Sequence, residues 1–241
     1  MPKIKPLHGR ILALVGLLLV AINLRSVVAS LSPIIPFIRE DFELSTLAVS
    51  FLGMIPPLGF ALSGLLAPMI TRRIGLEVAL LTLLLLIVSG SVIRAISGDW
   101  SLLSVGTFIA IVGMGMGNVL LPVVVRKYFP DRVGSMTALY LTILSVGALT
   151  PPLIAVPVAQ EFGWRFSLGQ WAIVAAIAMI PWIFTLRSNK VEEKVVTESL
   201  TIPINVRHIK IWKSPTAVSM LVIFAVSSLN GYAAFAWLPQ I

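Results

Sequence analysis

Cysteine is absent from this 241-residue chain, which removes disulfides, thiolate metal ligands and cysteine nucleophiles together. Charge is scarce too. Asp, Glu, Lys and Arg make up 12% of the residues, against about 25% in soluble domains. That is too little to furnish the surface of roughly 25–35% charged residues that a water-soluble domain presents. Acids are the scarcer sign, ten against 18 bases. All ten (Glu40, Asp41, Glu43, Glu77, Asp99, Asp131, Glu161, Glu192, Glu193 and Glu198) fall in polar connections or at the ends of apolar runs. The two histidines, His8 and His208, lie in polar segments. Paired-carboxylate hydrolysis, a Ser-His-Asp triad and a zinc site therefore lack their parts within the apolar runs. An acidic proton relay inside a membrane is likewise missing from these residues. No catalytic residue, metal or cofactor is expected.

What is present is apolar length. Hydrophobic residues reach 58% and the mean hydropathy is +1.00, so the surplus must face lipid. A bilayer core of about 30 Å needs about 20 apolar residues of helix. Seven charge-poor runs meet that length: Ile11 to Ile38, Thr46 to Ile70, Leu76 to Ile96, Ser101 to Val125, Val133 to Pro157, Phe166 to Leu186 and Ala217 to Pro239. The fold class is thus an all-α polytopic membrane protein, with short connections making neighbouring helices antiparallel. Residues 1–186 form a six-helix bundle, residues 187–216 a polar linker, and residues 217–241 the first helix of a further bundle. The chain stops at Trp237-Leu238-Pro239-Gln240-Ile241 with no polar tail, so a missing carboxy-terminal half is expected to follow.

The first span has Lys3, Lys5 and Arg10 before its apolar run, as a secretory signal does, and Val27-Val28-Ala29 has cleavage-site character. Asn23 and Arg25 lie where a signal is normally uncharged, and apolar character resumes afterwards, so it reads as a retained span. Basic residues set the orientation. The amino terminus and the second, fourth and sixth connections carry 14 of them; the opposite side carries Arg39, Arg94 and Arg165. The amino terminus is therefore expected in the cytoplasm of a cell whose inner membrane holds the protein. The net charge of +8 then reports orientation and contact with membrane lipids, and no nucleic-acid partner is expected. Trp212 in the Ile209-Lys210-Ile211-Trp212 stretch suits a short interfacial helix at the end of the linker.

Arg25 is the one charge deep within a span, away from its ends. About 14 residues from the start of its run, it lies roughly 21 Å along the helix, too deep to reach either surface easily. An unpaired guanidinium there costs at least about 2.5–3.5 kcal/mol. It should face a water-filled cavity that takes a small-molecule solute, or else tie helices together through backbone carbonyls freed by prolines. Ala21, Ala29 and Ser32 share its face, while Asn23 points elsewhere. Asn118 and Tyr140 are placed at similar depth on the fourth and fifth spans, where they can meet, either in an interhelical hydrogen bond or at substrate. Asn230 and Tyr232 in the seventh span match the depth of Arg25. Arg25, Asn23, Asn118, Tyr140, Asn230 and Tyr232 are the candidate substrate-binding residues. The run Gly113-Met114-Gly115-Met116-Gly117 has no strand before it and does not read as a nucleotide loop; Gly113 and Gly117 make a GxxxG pair for close helix approach. Prolines within the spans, among them Pro33, Pro36, Pro56, Pro57, Pro122, Pro151, Pro152, Pro157 and Pro181, predict kinked helices.

Six spans, a basic linker and a seventh span resemble the first half and the start of the second half of a major facilitator superfamily transporter. Gly64-Leu65-Leu66-Ala67-Pro68 through Arg72-Arg73-Ile74-Gly75 resembles that superfamily's signature between helices two and three, and Gly147 to Pro152 its helix-five signature. Asn23-Leu24-Arg25, Gly117-Asn118-Val119-Leu120-Leu121-Pro122 with Lys127-Tyr128-Phe129-Pro130, and Gly163-Trp164-Arg165 are similar to the cyanate and nitroimidazole permease branch. The chain departs from the family at Pro68, where an acid is usual, and near Ile109, where an arginine is usual. The resemblance implies two six-helix halves, a midplane site between them and alternating access for a small anionic or polar solute. A seven-helix receptor or sensor is the other class that a count of seven spans suggests. It lacks the last-helix lysine that an opsin-type pigment needs, since Ala217 to Ile241 contains none.

Overall fold

The computed structural model describes residues 7–42 and 46–196, and beyond them the helical positions Pro215, Val218, Ser219, Val222, Ile223 and Val226. Most of the predicted linker, and Asn230 and Tyr232, lie outside the described residues. The chain divides into two compact units, Met1–Lys190 and Val191–Ile241; the first contains the bundle.

Its elements are helices throughout: α1 (Leu7–Ala29), a 3-10 turn (Ser32–Ile34), α2 (Ile35–Asp41), α3 (Thr46–Ile74), α4 (Leu76–Ala95), α5 (Trp100–Tyr128), α6 (Val133–Phe162), α7 (Trp164–Gly169) and α8 (Trp171–Val196). Among the described residues no strand occurs, and six helical stretches are long and apolar enough to cross a membrane. They coincide with the first six predicted spans. A 29-residue helix such as α5 is about 43 Å long at 1.5 Å per residue, which exceeds the hydrocarbon thickness and carries its ends into the headgroup region. Leu65, Leu149 and Leu153 are each more than two-thirds exposed. Such leucines suit a lipid-facing surface or one that meets further protein.

Local chemistry explains where the chain turns. Gly75 (φ 83°) and Gly163 (φ 84°) make one-residue corners between α3 and α4 and between α6 and α7, a backbone conformation that a Cβ disfavours. Asp99 caps α5 by accepting a hydrogen bond from the Leu102 amide at 2.8 Å. Of the prolines, Pro33 and Pro36 coincide with a break, the 3-10 turn between α1 and α2. Pro56, Pro57, Pro68, Pro122, Pro151, Pro152, Pro157 and Pro181 lie inside helices that continue past them.

Helix α5 is the hub. A β-carbon on Gly113 would meet the Leu83 carbonyl of α4 at 2.6 Å, one on Gly115 the Ser63 side chain of α3, and one on Gly117 the Leu24 side chain of α1. The glycine run lets three neighbours approach, so the GxxxG pair serves two different helices rather than one. Ser63 stitches the α3 contact, its hydroxyl donating to Gly59 O at 2.6 Å and within reach of Val112 O at 2.8 Å.

Side chains staple both ends of the bundle and thereby fix the alternation of helix directions. At one end, the start of α1, the start of α4 and the end of α5 meet. Arg10 pairs with Asp131 and donates from Nε to Tyr128 O at 3.2 Å; Lys127 Nζ reaches Glu77 Oε1 at 2.6 Å, and Tyr128 Oη donates to the same oxygen. At the other end Arg165 donates to Asp41 Oδ2 at 2.7 Å and to Ser97 O at 2.8 Å, and Trp164 Nε1 donates to Asp41 at 2.8 Å. Glu77, at the end of a span as expected, is buried because α5 brings Lys127 and Tyr128 onto it. One expectation is corrected here. Arg94, counted among the loop bases, is fully buried, because α1 and the α7 corner cover the last turn of α4.

Candidate functional site

The apolar face of α1 is interrupted at Arg25. Gly147 of α6 lies over Ile22, where a β-carbon would stand 2.7 Å from the Ile22 carbonyl oxygen, and Gly117 of α5 packs on Leu24. Arg25 therefore sits beside the level at which α5 and α6 pack closely on α1. Counting from the end where Arg10 meets Asp131, Arg25 lies about 22 Å from Arg10 along α1, Asn118 about 15 Å from Tyr128 along α5 and Tyr140 about 11 Å from Val133 along α6. Arg25 is partly exposed, and among the described residues its guanidinium takes part in no hydrogen bond or ion pair. Two residues further along α1, Arg94 of α4 donates from Nη2 to Val27 O at 3.4 Å and so ties those two helices.

The other predicted residues divide. Asn118 is exposed on α5. Tyr140 is buried on the stripe of α6 formed with Gly147, Pro151, Ala155 and Ala159. No hydrogen bond joins Asn118 to Tyr140, so of the two ways in which they could meet the interhelical bond is not formed. Asn23 is fully buried and turned toward α8: its Nδ2 donates to Leu19 O at 2.8 Å and to Val174 O at 3.4 Å, while Oδ1 has no partner. Asn23 and Arg25 thus occupy different sides of α1, as their spacing of two predicts. No cluster of three or more His, Cys or acidic residues fit for a metal occurs among the described residues.

Sequence reasoning missed the two staples and Arg94. The staples join residues 50 or more positions apart, which no local pattern reveals. Arg94 had a signal: Leu80, Leu83, Leu84, Ile87, Ser91 and Arg94 recur at spacings of one, three and four and are all buried, so the arginine ends a core stripe. Outside the spans, Asp131 has its carboxyl held below the usual range. Partial desolvation raises it, but hydrogen bonds from its own backbone amide and from Arg10, and the charges of Arg10 and Arg132, outweigh that.

Residues 14–241 match the sequence profile described as Major Facilitator Superfamily. The chain is 32% identical over 235 residues to the 2-nitroimidazole transporter of Escherichia coli, covering 97% of the chain and 58% of that protein. It is 30% identical over 228 residues to the uncharacterized transporter YycB of Bacillus subtilis, covering 94% and 54%, and 26% identical over 236 residues to the cyanate transport protein CynX of Escherichia coli, covering 94% and 57%. The chain thus spans somewhat more than half the length of these curated relatives. Among solved structures, that of a D-xylose-proton symporter superposes with a TM-score of 0.59 at 16% identity, covering 78% of this chain and 52% of the other. That likeness concerns the fold.

Proposed function

The chain belongs to the Major Facilitator Superfamily, and on that premise we propose that it is the amino-terminal part of a secondary transporter for a small anionic or polar solute. Cyanate-like and nitroimidazole-like compounds are the substrate class. The relatives named for 2-nitroimidazole and cyanate suggest that class. The observation that carries the anionic preference is the guanidinium of Arg25, partly exposed at mid-span with no partner among the described residues. A midplane cation with no acid beside it leaves the cavity electropositive. An anion 4 Å away gains about 4 kcal/mol at an effective dielectric of 20, before desolvation is subtracted. The planar fork also grips a planar, carboxylate-like group with two parallel hydrogen bonds.

In this reading the stapled bundle moves as a rigid body. Six more helices supply the opposite wall of the cavity, and rocking of one half on the other opens the site alternately to each side. Asn118, exposed on α5, adds a polar contact; Tyr140 and Asn23 support the helices behind it, and Asn230 and Tyr232 belong to the opposing half. The amino terminus is cytoplasmic, as the bias of Lys and Arg indicates. Reconstitution of the protein in liposomes tests the reading. Uptake of radiolabelled cyanate, competed by nitroimidazole and other small planar solutes and absent from empty liposomes, is expected. Uptake restricted to neutral sugars would reject the substrate class.

A further inference from the structure

Arg94 is fully buried, yet among the described residues its only hydrogen bond is from Nη2 to Val27 O at 3.4 Å, and Nε and Nη1 have no partner there. It forms no ion pair with any described residue. An arginine side chain is effectively always protonated, and removing one member of a buried ion pair costs several kcal/mol because a buried charge is then uncompensated. Something must balance this one.

The surroundings converge on it. Ser91, one turn earlier on the same face of α4, is fully buried with an unpartnered hydroxyl, and the indole Nε1 of Trp171 at the start of α8 is buried and unpartnered as well. Gly169, at the end of α7, backs onto this turn: a β-carbon there would lie 2.6 Å from the Ala95 side chain and 3.9 Å from Ser91 O. The register of α1 on α8 brings the same residues to one level. Asn23 bonds Val174 O, and the two helices run in opposite directions, so Val27 lies opposite the turn that holds Trp171. The unsatisfied groups around this level are N–H donors on Arg94 and Trp171, a serine hydroxyl that can donate too, and, one turn back on α1, the neutral acceptor Oδ1 of Asn23, which carries no charge to balance the guanidinium. Among the described residues no carboxylate accepts from them, and Asp41 at this end of the bundle is engaged by Arg165 and Trp164.

We propose that Arg94, Trp171 and Ser91 form an occluded site for one small monovalent anion, of the size of chloride, where α1, α4 and the α7–α8 corner meet. The anion accepts from the guanidinium and the indole and neutralises a charge that the fold otherwise leaves bare. The site is separate from Arg25, which is two residues before Val27 and so on another side of α1. Its occupant ties three helices at one end of the bundle, and it is a structural ligand that is not transported.

The test compares the purified protein in detergent in chloride and in gluconate at equal ionic strength, gluconate being too large for a buried site. Chloride is expected to raise Tm saturably, since a ligand bound only by the folded state stabilises it. Trp171→Phe should need several-fold more chloride for the same shift. Arg94→Met, which keeps the unbranched volume without the charge, should melt at the same temperature in both salts. Arg25→Ala should retain the full chloride shift; its loss there would move the anion to the transport cavity and overturn the proposal. If Arg94→Met fails to fold, bromide anomalous scattering from wild-type crystals decides: a peak beside Arg94 Nη1 and Trp171 Nε1 supports the site. An identical wild-type Tm in both salts, or no bromide peak at Arg94, overturns it in favour of ordered water.

Discussion

Gly147 of α6 crosses α1 directly over Ile22, and a β-carbon on the glycine would stand 2.7 Å from the Ile22 carbonyl oxygen and 2.9 Å from its Cα. Backbone, unlike the tip of a side chain, cannot move aside without separating the helices. Gly147→Ala should therefore cost about 1–3 kcal/mol, the range of an overpacked core. Gly134→Ala, with nothing within 4 Å of the added carbon, should cost nothing. Thermal melting in detergent checks both. Equal Tm values for the two variants would mean that α1 and α6 are not in close contact.

The pair at the opposite level of the bundle is electrostatic. Glu77 is buried and accepts from Lys127 and Tyr128, whereas the Lys127 side chain is 39% exposed, so solvent screens part of the attraction. Glu77→Gln should lower stability by about 1–3 kcal/mol, the cost of weakening hydrogen bonds to a charged group. A double-mutant cycle with Lys127→Met should give a coupling above about 0.5 kcal/mol. Strict additivity would remove the staple from the account.

Asp131 supplies a pH signature. Its folded pKa lies below the usual carboxylate value, so its pairing with Arg10 contributes stability above the unfolded pKa, and that contribution is lost as pH falls through the folded pKa. The melting temperature should therefore decline through the acid range, and Asp131→Asn should flatten part of that decline while leaving neutral-pH behaviour otherwise similar. An unaltered acid slope in the variant would show that the pair does not titrate with folding.

The natural absence of cysteine gives a clean background for topology. Gly98 and Arg73 are both exposed and lie at opposite ends of α4. In intact cells a membrane-impermeant maleimide should label Gly98→Cys and spare Arg73→Cys. The reverse pattern would invert the orientation inferred from the basic residues.

The helices were legible in the sequence because membrane spanning imposes a length that can be counted, and six of the expected spans stand where the apolar runs are. Prolines do not mark helix ends uniformly: Pro33 and Pro36 coincide with a break in the first span, whereas Pro151 and Pro152 sit inside a continuous α6. Arg25 was legible because a lone charge in an apolar run is conspicuous. Arg94 was not, because a charge three residues from a turn looks solvated until another element is found to cover it; here α7 does so. Whether Asn118 and Tyr140 bond to each other was not legible for a similar reason: depth can be counted along each helix, but the rotation of one helix against another is set by packing.

The account turns on Arg25, and equilibrium binding of a small planar anion such as cyanate to the purified protein tests it most directly. Arg25→Ala should weaken binding by about 100-fold or more, as expected for loss of a desolvated charge pair, and Arg25→Lys should fall between the two, with the Tm of both variants close to wild type. Unchanged affinity in Arg25→Ala, or a loss of affinity matched by a collapse in Tm, would contradict a ligand-binding role for this guanidinium.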